Sequence, residues 1–153
     1  MTWQLVFNLA NGLAFLMWLF LIVLPRREIV LTLVLYGGVG LLCLAYTAGV
    51  VGLSTGGFVG GSDDVDFTSI VGVQAIFASA GGATIGWMHY LAFDLFAGLW
   101  IARDADHKGF SRWMQAPVLL LTFVAGPAGL LTWLIVREGR ARRAAPRRPR
   151  LRL

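Results

Sequence analysis

The stretch Gly86–Asp104, GWMHYLAFDLFAGLWIARD, is apolar enough to cross a bilayer, yet it carries His89 and Asp94 inside the apolar run. A charged side chain at the bilayer centre costs about 2.5–3.5 kcal/mol on insertion scales. Such a residue faces the protein interior or a wet cavity, and it has work to do there. Burial favours the neutral form of a carboxyl group unless a partner holds the anion. A neutral carboxyl group at membrane depth can donate a proton, so Asp94 is a candidate general acid. It is equally a candidate for a hydrogen-bonding residue that pins helices together.

At about 100° per residue, Trp87, Tyr90, Asp94 and Gly98 share one helical face, and Gly98 would let another backbone come close. His89 is five residues from Asp94 and points about 140° away. It is a candidate base, or a brace toward another helix. Trp87, Tyr90 and Trp100 are candidate contacts for an apolar substrate. A second polar stripe lies upstream, where Gln4, Asn8 and Asn11 are spaced i, i+4, i+7. Amides in lipid hydrogen-bond across helices, worth about 0.6–2 kcal/mol each. Asn8 and Asn11 therefore read as partners for Asp94 or His89, as substrate contacts, or as helix glue. Tyr46 and Thr47 are softer candidates. In FVAGPAGLLTW, Pro127 frees the carbonyl of Phe123 and predicts a kink, while Gly126 and Gly129 permit close approach. That kink serves packing or forms a pocket wall. The histidine pair of zinc proteases is absent, so no metal is expected.

These side chains need spanning helices to position them. The chain has 153 residues, 58% hydrophobic and 14% charged, with mean hydropathy +0.73. A soluble domain of this size cannot hide so much apolar surface, so its solvent is lipid. Four segments approach the roughly 20 residues a span requires, at about 5–24, 29–51, 83–101 and 116–136. The first has no basic region before it and no small-x-small site after it, so it reads as a span and not a signal peptide. The predicted fold is all-α, an integral membrane four-helix bundle over residues 1–137 with a basic disordered tail over 138–153. Between spans two and three, a glycine-rich acidic loop precedes an apolar run at 70–80, too short to cross. It predicts an interfacial or re-entrant helix. Cys43, the lone cysteine, reads as a small core hydrophobe.

Eight of the 13 Lys and Arg residues lie between Arg137 and Arg152. The net charge of +5 thus describes a tail that anchors topology and meets anionic headgroups, at about 1 kcal/mol per basic residue. Nothing resembles a nucleic-acid-binding module. With four spans, the tail side holds eight basic residues and the other side holds Arg26, Arg27, Arg103, Lys108 and Arg112. The positive-inside rule then barely decides, and slightly favours the tail inside.

GWMHYLAFDLFAGLWIARDA, followed by LTFVAGPAGLLTWLIVR, resembles the abscisic-acid-deficient-4-like family of small four-span membrane proteins. NLANGLAFLMWLFLIVLPR looks like the family's first helix, with Asn11 at a typical asparagine position. The similarity covers about Gln4 to Arg137. The resemblance implies carotenoid metabolism, since plant members are required for neoxanthin formation from violaxanthin. That conversion is an isomerisation in which an epoxide opens and an allene forms. It needs a proton delivered to oxygen and one removed from carbon, and no cofactor. By residue type, Asp94 fits the acid and His89 the base. The Gly-, Ala- and Arg-rich make-up, without an evident plastid-targeting segment, suggests a multi-pass protein of a bacterial inner membrane. The expected substrate is then a carotenoid or other polyprenoid lipid. The expected activity is an epoxide-opening or double-bond isomerisation. Alternatives are a non-catalytic carotenoid- or lipid-binding accessory protein and a structural protein. So small a bundle has little room for a long polyene, which suggests a lipid-open groove or a homo-oligomeric site.

Overall fold

A computed structural model describes residues 2–54 and 66–144, and these are helical with short connections. Helix α1 (Trp3–Val23) is capped by the Thr2 hydroxyl, which accepts from the Leu5 N–H, and it ends before Pro25, which disfavours helix at Leu24. Helix α2 (Glu28–Thr32) passes without interruption through π-helical turns (Leu33–Gly40) into α3 (Leu41–Ser54). Then follow α4 (Ile70–Ala78), α5 (Ala80–His107), α6 (Arg112–Val124) and α7 (Gly126–Ala144). Among the described residues, three rods, Trp3–Val23, Glu28–Gly52 and Ala80–His107, are long and apolar enough to cross a membrane.

The contacts fix chain direction. Helices α1 and α5 run parallel. Trp3 lies against Gly81, Trp18 against Gly98, and Arg26 reaches the Ala102 carbonyl oxygen. The middle rod runs antiparallel to both, with Gly38 against Met17 and Leu95 and Gly49 against Ile85. At Gly38 a Cβ would meet Met17 Cγ at 2.7 Å and Leu95 Cδ2 at 2.9 Å, so three rods approach closely at the π-helical turns. Leu21, Val34, Leu95 and Ile101 fill the core there and below.

The expected fourth span at 116–136 is not a kinked rod but a helical hairpin. Helix α6 runs back along α5, with Gln115 bonded to the Phe110 carbonyl oxygen and Phe123 edge-on to Trp18 at 5.5 Å. Helix α7 then reverses. Gly126 lies at Asp94, Trp133 Nε1 donates to Asp104 at 3.0 Å, and Arg137 Nε lies 3.3 Å from Asp104. The turn comes from the backbone. Ala125 leaves helical geometry at φ −147°, ψ 76°, and Pro127 has no N–H to extend the α6 ladder. A Cβ at Gly129 would fall on the Thr122 backbone, so the two arms close to main-chain contact.

Three smaller expectations are also corrected or sharpened. Cys43 is exposed on the outer face of α3, not part of the core. Helix α4 occupies the short apolar run, has no buried residue, and is capped by the Ser69 hydroxyl, which accepts from Gly72 N–H at 3.0 Å. Of the tail expected to be disordered, residues 138–144 continue α7, and 145–153 lie outside the described residues.

Candidate functional site: a groove at the hairpin turn

Asp94 sits at the midpoint of the 28-residue α5, where the hairpin turns. The Gly126 N–H donates to its carboxyl group, and a Cβ at Gly126 would collide with that group. The first N–H groups of a helix have no partner within it, and a carboxylate there also meets the positive end of the helix dipole. Asp94 thus closes the N-terminus of α7 from another helix. Pro127 contributes no N–H, and the Gly129 N–H bonds Ala125 O at 3.0 Å.

Beside this cap lies a groove of about 560 Å³ walled by α5 and α7, including Phe93, Phe96, Trp100, Pro127, Leu130 and Leu134. Among the described residues, Asp94 is the only ionisable side chain lining it. Toward the far end, the Arg137 guanidinium stands 5.3 Å from the centre of the Trp100 ring. The arrangement suits an elongated apolar molecule with one polar function. The carboxyl group can accept a hydrogen bond from that function or donate a proton to it.

The other predicted site residues divide. Trp100 lines the groove with Asp94. His89 does not. Its ring lies tilted against Phe93 at 4.7 Å and Tyr46 of α3 at 5.4 Å, with Tyr90 edge-on at 6.1 Å, and it is exposed on another face of α5. The 140° separation on the wheel is therefore realised, and acid and base candidates do not meet. Trp87 points to α1. Its Nε1 donates to Asn11 at 3.0 Å, and its ring stacks on Phe7 at 6.1 Å. Asn11 also donates to Phe7 O at 2.8 Å, and Asn8 accepts from Gln4 at 3.0 Å within α1. The amide stripe thus pins α1 to α5 through Trp87 and partners neither Asp94 nor His89.

A polar cluster that sequence reasoning missed ties the hairpin to the bundle. Arg26, with its side chain 7% exposed, donates to Ala102 O at 3.0 Å, to Asp106 at 2.9 Å and to Gln115 Oε1. Burial pushes the Arg26 guanidinium below its usual pKa, against the opposing pull of Asp106. Buried Gln115 also donates to Asp106 at 2.9 Å and to Phe110 O at 2.7 Å. Arg112 donates to the last carbonyl groups of the first rod, Ile22 O at 3.0 Å and Leu24 O at 2.5 Å. Asp104 gathers Trp133, Arg137 and, at 3.7 Å, Lys108. The only sequence signal for the cluster was an unusual density of charge around residues 103–112. The groove's α7 wall was signalled by Ala-Gly-Pro-Ala-Gly.

Among the described residues, no three His, Cys, Asp or Glu side chains cluster as metal ligands. No curated protein and no solved structure matches the chain. The profile of the family described as ABA DEFICIENT 4-like matches residues 5–133, which include Asp94, the hairpin turn and Trp133. That is most of the 153 residues, and the chain belongs to this family.

Proposed function

We propose that the protein is a multi-pass membrane isomerase of carotenoid-like lipids, with the groove holding the end of the polyene and Asp94 acting as its proton donor. The observation that carries this reading is that, among the described residues, one carboxyl group lines an otherwise apolar groove at the midpoint of α5. Because His89 lies on another face, Asp94 takes both proton steps. It delivers a proton to an epoxide oxygen as the C–O bond breaks. The resulting carboxylate then removes a proton from the neighbouring carbon, and the electrons of that C–H bond form the new double bond. Atoms and electrons balance, the acid is regenerated, and no cofactor enters. A positioned acid–base group of this kind contributes roughly a hundred- to ten-thousandfold in rate. Phe93, Phe96 and Trp100 supply the apolar wall, and Trp87 with Asn11 holds α1 against α5 behind it. The same reading places the chain in a bacterial inner membrane, with its basic C-terminal residues among anionic headgroups.

A second reading follows from the bond between the Gly126 N–H and Asp94. If Asp94 serves only as a cap, the groove binds a polyene without converting it. Expression in carotenoid-producing bacteria, with pigment chromatography, separates the two. The isomerase reading expects a new pigment with wild type and His89→Ala, and none with Asp94→Asn, which keeps an oxygen for the Gly126 N–H. Pigment that co-purifies unchanged with all three proteins, in every carotenoid background, establishes the binding reading instead.

A further inference from the structure

We infer that the chain crosses the bilayer three times, and that α6–α7 is a re-entrant hairpin entering and leaving through the cytoplasmic leaflet, with the basic end of the molecule resting on that leaflet's anionic headgroups. The inference does not depend on what the groove binds.

Chain direction is the first support. Trp3, Gly49 and Gly81 mark one end of the bundle, and Arg26, Asp106 and Arg112 the other. Helix α6 starts at the second end and α7 returns to it, because Trp133 and Arg137 both meet Asp104. The 13-residue α6 is about 20 Å long at 1.5 Å per residue, short of the roughly 30 Å hydrocarbon core.

Backbone satisfaction is the second. Non-helical backbone is tolerated at membrane depth only where protein satisfies and covers it. At the turn the backbone is satisfied within the protein: Gly126 is buried with its N–H held by Asp94, and the Ala125 N–H donates to Leu121 O at 2.8 Å, while Val124, Ala125 and Pro127 stay exposed beside it.

Charge is the third. A fourth crossing divides the basic residues almost evenly across the membrane. The hairpin instead gathers every Lys and Arg of the described residues at one end. Arg26, Arg27, Arg103, Lys108, Arg112 and Arg137 lie there, and α7 carries Arg140, Arg142 and Arg143 onward from it. The opposite end holds Asp66 and no described Lys or Arg. Such a one-sided distribution places the basic end in the cytoplasm. Trp113, 90% exposed at the start of α6, sits at the depth of an interfacial aromatic belt.

The test is cysteine accessibility in full-length protein carrying Cys43→Ala. Phe67→Cys, Ser111→Cys and Gly139→Cys each replace an exposed residue. A membrane-impermeant maleimide is applied to intact spheroplasts and then after permeabilisation. Phe67→Cys should label in intact spheroplasts, and both Ser111→Cys and Gly139→Cys only after permeabilisation. Ser111→Cys and Gly139→Cys labelling from opposite sides would establish a fourth crossing and overturn the hairpin. Both labelling from outside would overturn the orientation. A green fluorescent protein fused to the C-terminus of the unsubstituted chain, fluorescent only in the cytoplasm, reports the exit side independently. For the headgroup contact, a polarity-sensitive dye on Gly139→Cys is compared in phosphatidylcholine nanodiscs with and without phosphatidylglycerol. A blue shift with the anionic lipid, reversed by salt, is expected, and identical spectra would overturn that contact.

Discussion

Gly98→Ala tests the packing that holds the hairpin turn in place. A Cβ at Gly98 would lie 2.7 Å from Cζ3 and 3.1 Å from Cζ2 of Trp18, with Cη2 closer still. Trp18 is 3% exposed, and its ring is edge-on to Phe123 in the last turn of α6. The indole cannot swing aside without moving the turn. Overpacking at such a site costs about 1–3 kcal/mol, while alanine gains about 1 kcal/mol over glycine in a helix. The net change is then about 0–2 kcal/mol, which alone is hard to interpret. Gly12→Ala supplies the reference, since a Cβ there meets nothing within 4 Å. It keeps the helical gain without the clash. The difference between the two variants isolates the clash at about 1–3 kcal/mol, or roughly five- to 150-fold in the unfolding constant. Unfolding in mixed micelles with rising dodecyl sulfate, followed by tryptophan fluorescence, measures it. Trp18→Phe removes all three clashing atoms, so the Gly98→Ala, Trp18→Phe double variant should recover about 1 kcal/mol or more relative to additivity. Equal midpoints for Gly98→Ala and Gly12→Ala, or strict additivity with Trp18→Phe, would refute the reasoning.

Gly126→Ala places a methyl group on the Asp94 carboxyl, so amide exchange at residues 126, 128 and 129 should accelerate while α1 amides stay unchanged. Uniform protection across the hairpin would show that Asp94 does not hold the turn. Arg26→Gln removes a buried guanidinium from Gln115 and from Asp106, whose carboxylate is partly open to water, and should cost about 1–3 kcal/mol in the same micelle titration. A loss below 1 kcal/mol would mean the cluster is not what fastens the hairpin. Asp104→Asn keeps an acceptor for Trp133 but loses the charge facing Arg137 and Lys108, and is expected to cost about 1–2 kcal/mol. Asp66 is held down to about pKa 2 by hydrogen bonds from Ser69 and Thr68. Its folded value lies below the unfolded one, so its bracing of α4 is complete above the unfolded value near 4 and is lost as pH falls through about 2. A carboxyl carbon titration by nuclear magnetic resonance should find that midpoint, and one near 4 would remove the brace.

The three long apolar rods were legible because each is an apolar run ended by Pro, Gly or charge, signals that are local in sequence. The wheel correctly kept His89 away from Asp94, since both lie on one regular helix. Hydropathy could not distinguish α6–α7 from a kinked span. Both read as an apolar run interrupted by Gly-Pro, and the direction after the break is held by Asp94 and Asp104 on α5. The partners of Asn11 and Gln115 were hidden for the same reason. Trp87 is 76 residues from Asn11, and Arg26 is 89 from Gln115. Cys43 was misplaced because residue type implies burial only where the neighbouring solvent is water, and an outward face toward lipid is as apolar as a core.

The hairpin also bears on how the protein is made. Both of its ends belong to the same end of the bundle, so on the proposed re-entrant topology no hydrophilic segment between α5 and the end of α7 has to be carried through the translocation machinery. The two arms can be pushed in together from the side where the ribosome works, once the three rods have formed the wall that receives them. Asp94 then meets its partner last, and a chain stalled before Gly126 would leave that carboxyl group bare in the bilayer. Quality control could recognise such an intermediate by that one exposed group.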